Sequence, residues 1–143
     1  MNTTIVLNDA GLYEGVGPLS TDKVIINVGF AGSNKLPIGS IWSVDSCSAY
    51  QVNDLPQGCF VLKTAKFLPT QHCYSSTDFV SSTPIKECFL VDMELLAYAA
   101  CPYPVYSIKV VSDNMEIDKY FDEALNKDFT VPINEVLESL GVD

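Results

Sequence analysis

The first sustained apolar run is Lys23-Val24-Ile25-Ile26-Asn27-Val28, β-branched and nearly continuous. Such a run, without polar alternation, predicts a strand buried on both faces of a largely parallel sheet. It stops at Gly29-Phe30-Ala31-Gly32-Ser33, where two glycines predict a sharp turn and close approach of a ligand to the main chain. Ahead of it, residues 4–7 read as a short strand and 11–18 as a glycine-rich stretch. Beyond it, strands are expected over 40–50 and 59–64. A Leu/Ala-rich helix follows over 93–100, broken by Pro102 and Pro104. A strand over 105–111 and helices over 117–126 and 132–140 complete the pattern. The last helix has Pro132 in its first turn and Gly141 just past its end. Strands come first and strand–helix alternation later, which predicts an α/β fold: a mixed central sheet flanked by helices. Ligands in such sheets sit beyond the carboxyl ends of strands.

Composition narrows this picture. The 143 residues suit one domain, 1–143, and 48% hydrophobic against 18% charged residues suits a well-buried core. The formal net charge is −10, and all eight basic residues are lysines. That argues against a broad contact with a phosphate backbone, so nucleic acid is not an expected partner. A single, nearly neutral nucleoside remains compatible. No apolar run reaches the ~20 residues of a membrane span, and Met1-Asn2-Thr3-Thr4 lacks a basic n-region. Five cysteines, odd in number and never in a C-x-x-C pair, read as thiols of a reducing cytoplasm. With His72 the sole histidine, neither a His/Cys metal site nor a cofactor is expected. The apolar content of so small a chain predicts association as a homodimer.

Three segments could carry chemistry. The first is the glycine stretch, where Phe30, Ala31 and Gly32 would present main chain to a ligand. The second is Leu90-Val91-Asp92-Met93-Glu94. There a carboxylate that only accepts hydrogen bonds could hold both hydroxyls of a ribose, with Met93 as a soft apolar floor. The ordinary reading of the same residues is Asp92 capping a helix and Glu94 favouring its dipole. The third is Tyr106 to Asn114. Its alternation puts Lys109, Val111 and Asp113 on one face and Ile108, Val110 and Ser112 on the other. Asp113, at the strand's carboxyl end, either donates a proton or caps a turn.

In order and wording, V-I-I-N-x-G-x-A-G-S, then V-D-M-E, then a strand ending S-D-N resemble the purine nucleoside phosphorylase and methylthioadenosine nucleosidase superfamily. Leu36-Pro37-Ile38-Gly39-Ser40-Ile41 and Ser75-Ser76-Thr77-Asp78-Phe79-Val80 are similar to two further family segments, the second departing from its S-G-D wording at Ser76 and Thr77. The resemblance implies that Glu94 binds the ribose hydroxyls with Met93 beside the sugar, and that Phe79 and the backbone of Val80 meet the purine. It makes Asp113, placed with Ser112, the general acid that protonates a purine ring nitrogen as the glycosidic bond breaks. Lys109 stands where the family often has an arginine. The family's water-activating glutamate comes from the region before the glycine turn, where Glu14 is the sole glutamate. The implied activity is hydrolysis of a purine nucleoside, of the methylthioadenosine nucleosidase or futalosine hydrolase type. Without an arginine for a phosphate cradle, phosphorolysis is the weaker alternative. A non-catalytic nucleoside-binding or structural relative is the other.

Overall fold

The computed structural model describes residues 3–8, 11–13, 24–50, 58–116 and 130–140. Its strands are β1 (Thr3–Asn8), β2 (Gly11–Tyr13), β3 (Val24–Ser33), β4 (Ile41–Ala49), β5 (Cys59–Val61), β6 (Thr70–Ser75), β7 (Leu90–Asp92) and β8 (Val105–Asp113). Two helices are described, α1 (Leu95–Ala99) and α2 (Thr130–Ser139). The strand order is β2-β1-β3-β7-β6-β4-β5, with β8 paired to both β3 and β4. The path β3-β7-β6-β4-β8 therefore returns to β3 and closes a five-stranded barrel, which removes its edges. Pairings β3/β8, β4/β6 and β6/β7 are parallel and the others antiparallel, so the sheet is mixed.

The apolar run of β3 serves both faces, as its lack of alternation requires. Ile25 and Ala31 join Val44, Cys47, Leu90, Val105 and Val111 in the main core. Val28 packs with Ile108 and Ala65 in a second cluster. That second cluster is covered by α2, whose Ile133 and Val136, with Leu140 just past its end, recur at helical spacing. Helix α1 buries Leu95 and Leu96 in the main core. Helical cover is thus described at two places, and sheet dominates the rest. The helix expected over 117–126 lies outside the described residues.

The glycine stretch is not a turn. β3 continues to Ser33, pairing with β8 as far as Gly32 and with β7 through Gly32 and Ser33. Ladders on both sides hold the backbone extended. Among the described residues, the glycines with positive φ are Gly39 at 89° and Gly58 at 113°. The sharp turn therefore falls later, at Gly39, where Ser40 N–H donates to Pro37 O at 3.2 Å.

Candidate functional site

At the carboxyl end of β8 the ladder slips. Ala31 pairs with Val111 but Gly32 pairs with Asp113, so Ser112 is the extra residue of a β-bulge. Strict alternation would keep Asp113 on the face of Lys109 and Val111. The bulge re-aims it: Val111 stays in the main core, whereas Asp113 turns toward Gly32 and Val91. A Cβ on Gly32 would lie 2.8 Å from Asp113 Oδ2 and 3.4 Å from Val91 Cγ1. This close approach, rather than a turn, is what glycine supplies at position 32.

The Asp113 side chain is fixed by its neighbours. Ser112 Oγ donates to Oδ1 at 2.7 Å, and Met115 N–H donates to Oδ2 at 2.9 Å. To present that N–H, Met115 adopts a left-handed backbone with φ 71°, a conformation costing about 1–3 kcal/mol for a residue with a side chain. Asn114 Nδ2 anchors the same turn on Ser33 O and Leu36 O, at 3.0 and 2.9 Å. Asp113 is 1% exposed. Burial pushes its carboxyl above the usual range, the two hydrogen bonds pull it back in part, and the negative charge of Glu116 adds to the rise.

Asp113 lines a small cleft of about 30 Å³ together with Gly32, Asp78, Phe79, Val80, Val91, Asp92 and Met93. Phe79 and Val80 reach it on the 76–88 segment, where Val80 packs against Phe89, Val91 and Met115. Tyr50 Oη tethers that segment by donating to Thr83 Oγ1 at 2.7 Å. Met93 is half exposed at the cleft, on the turn between β7 and α1. Ligand pockets usually reach ~300 Å³ or more, so the cleft as the described residues enclose it is smaller than such a pocket.

Of the residues singled out from sequence, Asp113, Gly32, Phe79, Val80 and Met93 meet at this cleft. Ser112 acts on Asp113 rather than on the cleft. Ala31 faces the core, and half-buried Phe30 lies on β3 beside Val110 of β8. Glu94, half-buried, follows Met93 as the N-cap of α1 and makes no side-chain capping bond. Asp92 and Ser75 take the capping role: Leu95 N–H donates to Asp92 Oδ2 at 2.9 Å and Leu96 N–H to Ser75 Oγ at 3.0 Å. Lys109, expected beside substrate, is instead enclosed, its Nζ 3.0 Å from Asp92 Oδ2 with both side chains at 0% exposure. Its alternation on β8 does put it inside, but a strand period specifies a face and not a partner. Glu14 lies outside the described residues. Asp78, absent from the sequence-derived set, also lines the cleft; its place beside Phe79 was the available signal.

The remaining reactive side chains lie elsewhere. His72 sits between Ser46 Oγ at 2.7 Å and Ser48 Oγ at 2.8 Å, and burial holds its imidazole below the usual value. Burial pushes the Cys47 thiol up to about 12 and that of Cys73 well above its ordinary range, so neither supplies a thiolate near neutrality. Among the described residues no cluster of three or more His, Cys, Asp or Glu could hold a metal. No described helix is long and apolar enough to cross a membrane.

No protein-family model and no curated protein sequence matches the chain. Solved structures do. The MTAN of Chlamydia trachomatis superposes with a TM-score of 0.65 and 20% identity, covering 81% of this chain and 62% of its own. The 5′-methylthioadenosine/S-adenosyl homocysteine nucleosidase of Helicobacter pylori gives 0.61 and 16%, covering 77% and 66%. The futalosine hydrolase of the same organism gives 0.61 and 16%, covering 79% and 65%. The chain spans about three-fifths of the length of the Chlamydia protein. The chain has the fold seen in these nucleosidase and futalosine hydrolase structures.

Proposed function

We propose that the chain cleaves the N-glycosidic bond of a purine nucleoside with water, Asp113 acting as the general acid. The observation that carries this reading is a buried carboxyl group with a raised pKa, aimed by a bulge into a cleft beside Phe79, Val80 and Met93. As the bond from C1′ to the base breaks, its electron pair leaves with the purine and the sugar becomes oxocarbenium-like. A proton passed from the Asp113 carboxyl to a purine ring nitrogen removes the negative charge developing there. The resulting carboxylate keeps its hydrogen bonds from Ser112 Oγ and Met115 N–H. Water adds to C1′ and loses a proton, for which Glu14 is the candidate acceptor. Glu94 and Met93 are assigned to the ribose, and Phe79 and Val80 to the base.

Two features favour hydrolysis over phosphorolysis. The sequence contains no arginine, and Lys109 has its charge committed to Asp92 inside the barrel. A structure of the Chlamydia MTAN holds adenine, and a variant of it holds MTA, which supports a purine base as the group released. The small cleft favours a second reading, a binding module for a nucleoside without turnover. The test is incubation of the purified protein with methylthioadenosine, inosine and futalosine, with and without phosphate, followed by measurement of free base. Base release independent of phosphate is expected. Release only with phosphate overturns hydrolysis, and binding without release selects the second reading. Association as a homodimer, proposed on the apolar composition, is tested by light scattering; a monomer overturns it.

A further inference from the structure

The buried pair beneath the site does more than fill the barrel. Asp92 is held from three separate elements: by an ion pair with Lys109 Nζ of β8 at 3.0 Å, and by hydrogen bonds from Ser75 Oγ of β6 at 2.6 Å and Leu95 N–H of α1 at 2.9 Å. Its backbone O also accepts from Ser76 N–H at 2.9 Å. The ammonium of Lys109 makes no hydrogen bond among the described residues, and its ion pair is with this one carboxylate. Lys109 shares β8 with Asp113, and Asp92 immediately precedes Met93 and Glu94. Burying two charges carries a desolvation penalty that a hydrophobic pair of similar volume avoids, often with no loss of stability. Stability alone therefore does not account for an ion pair at this position.

We infer that Lys109 and Asp92 are positioning residues. Their ion pair fixes the turn bearing Met93 and Glu94 relative to the strand bearing Asp113, and so sets how the site grips the ribose hydroxyls. This rests on the function proposed above. Asp92 and Ser75 take the capping bonds of α1, so the Glu94 carboxylate is not used as a helix cap, and Glu94 stands on the turn that Asp92 holds. The pair acts through Glu94 on the sugar, whereas Asp113 acts on the base.

The test compares calorimetric affinities for adenosine and 2′-deoxyadenosine, whose ratio reports the grip on the diol. The double variant Lys109→Met/Asp92→Asn removes both charges without orphaning either. Lys109→Arg keeps the charge, and Ser75→Ala loosens Asp92 from the opposite side without burying an unpaired ion. A hydrogen bond to a charged group lost from the sugar lowers the ratio about tenfold in the double variant, and Ser75→Ala lowers it in the same direction by a smaller factor. Lys109→Arg restores most of it. A purely structural role would scale both nucleosides alike through the folded fraction and leave the ratio unchanged. An unchanged ratio in whichever of the double variant and Ser75→Ala folds overturns this inference alone. Failure of the wild-type chain to bind adenosine overturns the proposed function and this inference together.

Discussion

Two buried aspartates end the two strands that flank β3 in the barrel, β7 and β8, and live in opposite electrostatic surroundings. Asp92, 4% exposed, ends β7 with a lysine ammonium, a serine hydroxyl and a helix N–H directed at its oxygens. Asp113, 1% exposed, ends β8 with one hydroxyl and one backbone N–H, and the charge that acts on it is that of another carboxylate, Glu116. Burial opposes ionisation in both places. At Asp92 a counter-ion answers it, and the residue becomes an anchor. At Asp113 no counter-ion is found among the described residues, and burial drives the carboxyl toward the protonated form that the proposed acid needs. Residue type does not separate anchor from acid; the local donor set does.

The largest effect expected from breaking this contrast is on turnover. Asp113→Asn keeps the shape of the side chain but removes the transferable proton, so base release should fall by ~10²–10⁴-fold while adenosine binding persists. An active variant would remove Asp113 from the chemistry. The mirror experiment strips the anchor of its counter-ion. Lys109→Met leaves a buried carboxylate unpaired and should cost about 3–5 kcal/mol in urea denaturation, with most of it recovered when Asp92→Asn is added. A single variant as stable as wild type would mean that Asp92 finds a replacement partner.

A smaller effect is expected where the acid is crowded. The Cβ introduced by Gly32→Ala meets Asp113 Oδ2 at 2.8 Å, and the carboxylate has to leave its bond to Met115 N–H. Overpacking of this kind costs ~1–3 kcal/mol, and slower base release should accompany it. Wild-type rates in Gly32→Ala would show that the placement of the acid by Ser112 and Met115 is dispensable.

The smallest effect sharpens the comparison through pH. A carboxyl whose folded pKa lies above its unfolded value of 3.8 binds its proton more tightly in the native state. Its contribution to stability is complete below 3.8 and is lost as pH rises through the raised value. Wild type should therefore lose stability relative to Asp113→Asn over that interval, and base release should decline over the same rise as the proton donor ionises. Wild type gaining stability relative to Asp113→Asn as pH rises would contradict the assignment of Asp113 as the unneutralised member of the two.

How much of this was readable beforehand depends on the range over which each cause acts. The β-branched run of β3 and the spacing of Ile133, Val136 and Leu140 along and just past α2 are local patterns; both elements form, with β3 running on through the glycines to Ser33. β7 is three residues long, and β6 carries Thr70-Gln71-His72-Cys73-Tyr74-Ser75 with no aliphatic period, so neither shows itself until partners are in place. The glycines of β3 were read as a turn because glycine permits one. What Gly32 accommodates is a side chain 81 positions later in the chain, which no local pattern contains. The same holds for Lys109: alternation places it inside, but only the barrel's closure brings Asp92 against it. Ser112 likewise reads as an ordinary member of its strand until the slipped ladder beside it is seen.

Closure by β8 also has a consequence in time. This strand pairs in parallel with β3 and antiparallel with β4, so it is the stave that completes the ring. During synthesis both of those earlier strands wait with open hydrogen-bonding edges until residues 105–113 have left the ribosome. The carboxyl group proposed as the acid sits at the far tip of that last stave. A nascent chain thus positions this carboxyl group in the same step that seals its sheet.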